Sequence, residues 1–479
     1  MGEREEPGYG NELKRQLGPF QMFAVSFAFI SVAVGIFATY DDVLQLAGPA
    51  GIWMWLLTAV GQTLVALVVA QFAARIVLSG SSYQWASRLA NPKVGWGFGW
   101  LSFCFLAIAA VAADNALASQ AFMPLFNIAP DESVARLITV GVLLVQVILT
   151  IYSTKIVAVI TSMAVGLEVA IVFGLSAALI GAVIITVDGS VSNLTSQGSA
   201  AGADDYFHLG GPLALAMIAG LVTLVGFDSA ANLAEEAEDP HRSVPRAIVF
   251  SVVAASILGF LFLVALTVAI PDVKAVTDSG APVAAIMREQ LGAAMEKVLL
   301  VCFLIAFFAV GMVTMATTAR LVFAMSRDSR FPAHRLFRRV SPKTRTPIPA
   351  TILVFLGGVA LMVFVPGDSL IKLITASTIL PLLIYFCVVV LYLSVRRKLG
   401  TREGAFSLGR FELPVAVCAL AWLALALSVL VLPAESKTSD VIVGGLLLAG
   451  ALFFAGMYVF NREVLETEPG ESVYQGEGL

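Results

Sequence analysis

Three carboxylates stand inside long apolar runs: Asp114 in AVAADNALAS, Glu168 in SMAVGLEVAIVFG and Asp228 in LVGFDSAAN. An ionisable group at the centre of a membrane span costs about 2.5–3.5 kcal/mol to insert, so each is a candidate for holding a cation or carrying a proton. The competing reading of Asp114 is a structural hydrogen bond to a neighbouring helix, since the small residues around it permit close approach. Two glycines in apolar runs, Gly35 in VAVGIF and Gly226 in LVGFD, can interrupt a helix because glycine tolerates unusual φ and ψ. An interruption leaves backbone N–H and C=O groups without helical partners, and these can bind a ligand. Thr314, Thr317 and Thr318 fall at i, i+3 and i+4, on one helix face. Their oxygens suit a hard cation, or they bond back to their own helix.

These groups need a membrane-spanning frame. The 479 residues are 59% hydrophobic and only 13% charged, with a mean hydropathy of +0.91. Soluble chains carry roughly 25% charged residues. The composition excludes an ordinary soluble enzyme and a disordered chain. With 29 Lys and Arg against 33 Asp and Glu, no basic excess supports nucleic-acid binding. Cys104, Cys302, Cys387 and Cys418 lie in apolar runs without metal-ligand spacing, and His208, His241 and His334 fall in polar connections. Neither a metal centre nor a cofactor is expected, and no signal peptide is expected at the polar N-terminus.

A span needs about 20 apolar residues. Twelve runs qualify: 19–40, 51–74, 94–122, 137–154, 156–187, 212–234, 247–271, 298–319, 347–366, 371–395, 412–433 and 441–461. With the N-terminus inside, 23 Lys and Arg fall on the inner side and 6 on the outer side. That asymmetry predicts cytoplasmic termini in the plasma membrane, and an even number of spans.

The first span begins Gly18-Pro19 and reaches Val34-Gly35; the sixth begins Gly211-Pro212 and reaches Val225-Gly226. Both then meet polar residues well before the span ends. Their separation by five spans makes them cross in opposite directions, the pattern of an inverted five-plus-five repeat with its leading helices broken at mid-membrane. The expected division is a cytoplasmic tail at 1–17, repeats at 18–188 and 211–395, two further helices at 412–461, and a cytoplasmic tail at 462–479.

The stretches ISVAVGIF, GQTLVAL and SGSSYQWASRLANPKVGWGFGW resemble bacterial members of the amino acid–choline transporter family, within the amino acid–polyamine–organocation superfamily. GFDSAANLAEEAEDPHRSVPRAI and TARLVFAMSRDSRFP resemble that superfamily's signatures at the exits of the sixth and eighth spans. The resemblance runs from about residue 18 to 395. It implies an all-α membrane permease of the LeuT-type fold, with alternating access and a central site between spans 1, 3, 6, 8 and 10. Glu235 and Glu236 would lie at the inner mouth, facing basic residues such as Arg75 or Arg327, or simply solvent.

The resemblance further implies a zwitterionic or amine substrate. Its carboxylate would meet the half-helix N-terminus at Ala33, Val34 and Gly35, where Ala-Val replaces the Gly-Ser common in relatives. Its ammonium would meet carbonyls near Val225 and Gly226, aided by Asp228, with Asp114 as a further candidate and Phe227 as the aromatic over the substrate. Glu168 stands about where other branches place a lysine whose charge replaces a sodium ion, so a proton or cation is needed here. Proton coupling through Glu168 is the expectation, with Na+ held at Thr314, Thr317 and Thr318 as the alternative. A channel or sensor on the same scaffold is the reading from a different class. Amino acids, γ-aminobutyrate, polyamines and choline-like cations all fit, and the sequence assigns neither the solute nor the oligomeric state. No nucleophile–His–acid set suggests an enzyme.

Overall fold

The computed structural model describes residues 17–76, 81–152, 154–186, 188–342, 344, 346–365, 369–399, 405–432 and 437–466. Among them eleven helices are long and apolar enough to cross a membrane, and a shorter apolar helix, Ile348–Phe364, occupies the ninth of the twelve expected runs. Side chains such as Leu144, Ile148, Ile184, Phe364 and Leu452 are exposed along these helices. So much outward-facing apolar surface has no place in water and suits lipid. The chain is an all-α multi-pass membrane protein. Strand pairing among the described residues is limited to one parallel bridge, Leu17 with Ala237.

The first span is two helices, α1 (Pro19–Ile30) and α2 (Val32–Ala47), joined at Ser31, which has φ 46° and ψ 71°. Pro19 at its first position suits α1, because proline pre-sets φ and the missing N–H would be unpaired there anyway. After α3 (Met54–Arg75) come a short amphipathic helix, α4 (Ser81–Leu89), and α5 (Pro92–Ala116), which runs into a π-helical turn at Leu117–Phe122. Next are α6 (Glu132–Tyr152) and α7 (Thr154–Thr186).

The sixth span also divides. Its helix α8 (Ile218–Thr223) stops, the chain turns at Gly226 with φ 78°, and a 3-10 helix runs from Phe227 to Glu236. A Cβ on Gly226 would lie 2.1 Å from the Phe29 ring, so both the backbone angle and the space require glycine there. Then come α9 (Pro240–Val268), α10 (Pro282–Arg327), α11 (Ile348–Phe364), α12 (Ser369–Val395), α13 (Glu412–Val431) and α14 (Lys437–Phe460). Within α10 the backbone leaves helical angles at Gly292 (φ 83°, ψ 160°), which separates a leading segment from the apolar span.

The divided spans sit inside the bundle: α2 packs on α8 and α10, while α5 packs on both α10 and α12. The segment 188–210 closes over one end. Ala50 N–H donates to Ser196 O (2.8 Å), and the Tyr206 hydroxyl donates to Ala47 O (2.8 Å).

Candidate functional site

A cavity of about 110 Å³ lies where the two divided spans meet. Its walls come from α1 and α2 around Ser31, α8 around Thr223, α5 around Ala113, α10 around Val310 and Thr314, and α12 around Ser377. These are the first, sixth, third, eighth and tenth spans. No residue lining it carries a charge, and Phe29, Phe105 and Phe307 contribute aromatic faces.

The hydroxyls in the wall are oriented by their own helices. Thr223 donates to Ala219 O (2.6 Å), Thr314 to Val310 O (2.8 Å), Ser377 to Ile374 O (2.8 Å) and Thr378 to Ile374 O (2.7 Å). With the proton engaged, each oxygen has only lone pairs left for a ligand. Ser31 differs: its buried Oγ is not tied to a carbonyl of its own helix and faces the Glu168 carboxyl.

Where the sequence predicts an opening at Ala33, Val34 and Gly35, the chain opens at Ser31, and those three residues form the first turn of α2. Gly35 is there for packing instead. A Cβ on it would lie 2.3 Å from Thr223 Oγ1, so glycine lets α2 and α8 approach at the cavity floor. Of the three, Val34 and Gly35 line the cavity.

The three carboxylates do not converge. Glu168, on α7, is buried and accepts the Ala33 N–H at 3.2 Å. The Val32 N–H also faces this carboxylate. It therefore caps the N-terminus of α2, at the break in the first span. Asp228 was expected beside a substrate ammonium, but it is not part of the cavity wall. The Tyr385 hydroxyl donates to its Oδ1 (2.8 Å) and the Ser81 hydroxyl to its Oδ2 (2.9 Å). Tyr385 in turn accepts the Gly226 N–H at 2.9 Å, so it satisfies the broken backbone and orients the acid together. Phe227, expected over the substrate, is fully buried, stacks on Tyr385 with ring centres 4.8 Å apart, and does not line the cavity. Val225 lines it; Gly226 does not.

Asp114 is also turned away from the cavity. Its Oδ1 accepts the Gln146 side-chain amide at 2.7 Å, while its Oδ2 and Gln146 Oε1 are buried without partners among the described residues. Gly311 makes room for this pair, because a Cβ there would lie 2.2 Å from Asp114 Oδ1. Asp114 thus makes a hydrogen bond to a neighbouring helix, α6. Thr318 donates to Thr314 O at 2.7 Å, so it and Thr314 bond back to α10; Thr317 on the same helix is half-buried.

The side chains of Glu235 and Glu236 lie outside the described residues. Arg75, expected to face them, is held by the Tyr392 hydroxyl (3.3 Å) and Glu412 (3.4 Å), and Tyr392 also donates to Glu412. Arg327 ends α10. Two further groups were not anticipated from the sequence. Tyr385, one of two tyrosines in the apolar run of α12, completes the Gly226–Asp228 junction. Tyr83 on α4 donates to Asp328 Oδ2 (3.3 Å) and accepts from Arg330 (3.1 Å), tying α4 to the α10 exit. The SRDSRF stretch after α10 thus anchors the helix that also presents Ser81 to Asp228.

Comparison with known proteins points the same way. The profile of a family described as amino acid permease matches residues 17–454. A putative polyamine transporter of Candida albicans is 25% identical over 89% of this chain and 80% of its own length. Amino-acid permease BAT1 of Arabidopsis thaliana is 24% identical over 87% of this chain and 85% of its own length. A GABA-specific permease of Saccharomyces cerevisiae is 28% identical over 74% of this chain and 64% of its own length. These relatives are eukaryotic, whereas the motifs had suggested a bacterial branch.

Proposed function

The chain belongs to the amino acid permease family, and from that premise we propose that it is a secondary active transporter importing a small amino acid or related amine by alternating access. The observation that carries this reading is the cavity walled by two divided spans. Irregular backbone inside a membrane persists where protein or a water-lined cavity satisfies it. Substrate sites of secondary transporters lie at such half-helix junctions. The spans form two inverted repeats, at 18–188 and 211–395, rocking about this site, with both termini in the cytoplasm of a cell whose plasma membrane holds the protein.

We assign the coupling proton to Glu168, a buried carboxyl in contact with the hinge of the first span. Gaining or losing a proton there changes how firmly α2 is tied to α7. The inner gate is the junction of Asp228 with Tyr385 and Ser81, which joins the 3-10 helix, α12 and α4. Its opening releases the 3-10 helix toward the cytoplasm, past Glu235 and Glu236.

Proteoliposomes test the reading. An imposed inward proton gradient is expected to drive accumulation of labelled valine, γ-aminobutyrate, putrescine or choline, and a protonophore is expected to abolish it. Glu168→Gln is expected to retain exchange and lose accumulation. Uptake that requires Na+ at every pH, and loses that requirement in Thr317→Ala and Thr318→Ala, would move the coupling site to α10.

A further inference from the structure

We propose that Glu168 occupies the place a substrate carboxylate would take, and that the cavity consequently selects compact amine cations without a carboxylate. The inference rests on the reading of this cavity as the transport site and narrows its substrate class.

Four backbone ends meet here: the C-termini of α1 and α8, and the N-termini of α2 and the 3-10 helix. An anion needs the N-termini, whose free N–H groups and dipole attract negative charge. Both are already engaged by the protein's own side chains. Ala33 N–H donates to Glu168 at 3.2 Å. At the other end, Gly226 N–H donates to Tyr385 Oη (2.9 Å) and Ala230 N–H to Ser26 Oγ (3.1 Å). The Glu168 carboxyl already takes the Ala33 N–H at the start of α2, which leaves that donor closed to a second carboxylate.

The C-termini are in the opposite condition. Phe29, Ile30, Val222 and Thr223 line the cavity at the ends of α1 and α8. Outside the ladders within the helices, none of the backbone hydrogen bonds among the described residues ends on their carbonyls. The last carbonyls of a helix have no partner within it and project beyond its end. Their negative ends are matched by the wall hydroxyls, which present lone pairs because Thr223, Thr314, Ser377 and Thr378 donate to their own helices. Phe29, Phe105 and Phe307 also line the cavity, and an aromatic ring attracts a cation placed over its face. An ammonium offers donors and no acceptor, matching a wall of acceptors. A carboxylate would find there the Ser31 hydroxyl and little else. Glu168, at Ala33 just behind the wall, is the ionisable group placed to balance the cation.

The test uses ligands that differ by the carboxylate alone, isobutylamine against valine, with choline as a cation that has no N–H. Binding is measured by titration calorimetry on the full chain in nanodiscs. The wild type is expected to bind isobutylamine about tenfold or more tightly than valine, the range set by one hydrogen bond to a charged group. Glu168→Ala frees the Ala33 N–H and is expected to shift the preference toward valine by a similar factor. Glu168→Gln keeps an acceptor for the Ala33 N–H and cannot ionise, so it is expected to weaken isobutylamine and gain less for valine; it also serves if the alanine variant fails to fold. Wild-type protein that prefers valine, or a preference unchanged in both variants, overturns the inference and leaves the transport reading standing. Protein that binds no amine and no amino acid across a panel overturns both.

Discussion

Replacing Tyr385 by phenylalanine removes one oxygen atom and leaves the ring stacked on Phe227. That oxygen holds two partners, accepting from the Gly226 N–H at 2.9 Å and donating to Asp228 Oδ1 at 2.8 Å. A buried donor left unsatisfied costs about 1–3 kcal/mol, and a hydrogen bond to a charged group contributes about 1.5–3 kcal/mol. Asp228 keeps its bond from Ser81 at 2.9 Å, so the acid is not fully stripped. The combined loss is about 3–5 kcal/mol at the order-of-magnitude level. If the junction holds only one conformation of the gate, the loss appears in the conformational equilibrium. At 1.4 kcal/mol per factor of ten, the open population rises by about two to four orders of magnitude. The assay is thiol labelling of Ser229→Cys, buried in the 3-10 helix, in a background lacking the four native cysteines. Tyr385→Phe is expected to speed labelling from the cytoplasmic side and to lower apparent substrate affinity. Unchanged labelling and unchanged Tm would refute the hydrogen-bond reasoning. A lower Tm with unchanged labelling would place the junction in folding and not in gating.

Gly35→Ala is expected to lower Tm, with about 1–3 kcal/mol lost to overpacking, because its Cβ would meet the Thr223 side chain at 2.3 Å; adding Thr223→Ala should restore most of it. Gly311→Ala should destabilise by a similar amount through its 2.2 Å approach to Asp114, whereas Gly357→Ala, which meets nothing within 4 Å in α11, should be neutral or stabilising by up to about 1 kcal/mol. Thermal unfolding of the pair side by side distinguishes a packing glycine from a surface one. Ser341→Cys should react with an impermeant thiol reagent from the cytoplasm alone and Gly202→Cys from outside alone; the reverse pattern would overturn the topology. Glu466→Gln should leave Tm unchanged, since its pairs with Arg462 and Lys93 are at the surface.

The spans were legible because a run of about 20 apolar residues matches the thickness of a bilayer core. The break in the sixth span was legible as well, since Gly226 takes φ 78°, a conformation that glycine alone adopts freely. The break in the first span was misplaced by one turn. Ser31 takes a left-handed conformation that its residue type does not announce, whereas Gly35 attracts attention for a reason that exists only in three dimensions, the approach of Thr223. The acids show the same limit. Their burial in apolar runs marked them as consequential, but not the face each presents. Asp114 looks to Gln146 on α6, Asp228 to Tyr385 on α12, and Glu168 to a backbone N–H 135 residues away in sequence. Hydropathy carries no information about such partners. Tyr385 is one of several hydroxyl side chains in its run, and nothing in the sequence assigns it to the broken helix.

Counterflow with a cavity-filling variant tests most directly whether the cavity between the divided spans is the route of transport. Ala113 is part of its wall on α5, and Ala113→Phe would place a ring in a space of about 110 Å³. Wild-type protein in liposomes preloaded with unlabelled isobutylamine, valine, γ-aminobutyrate or choline is expected to take up the matching labelled solute transiently above equilibrium, which a channel does not do. Ala113→Phe is expected to fold with near-normal Tm and to lose that overshoot for every solute. An overshoot of wild-type size in the filled variant would contradict the assignment of this cavity as the transport site.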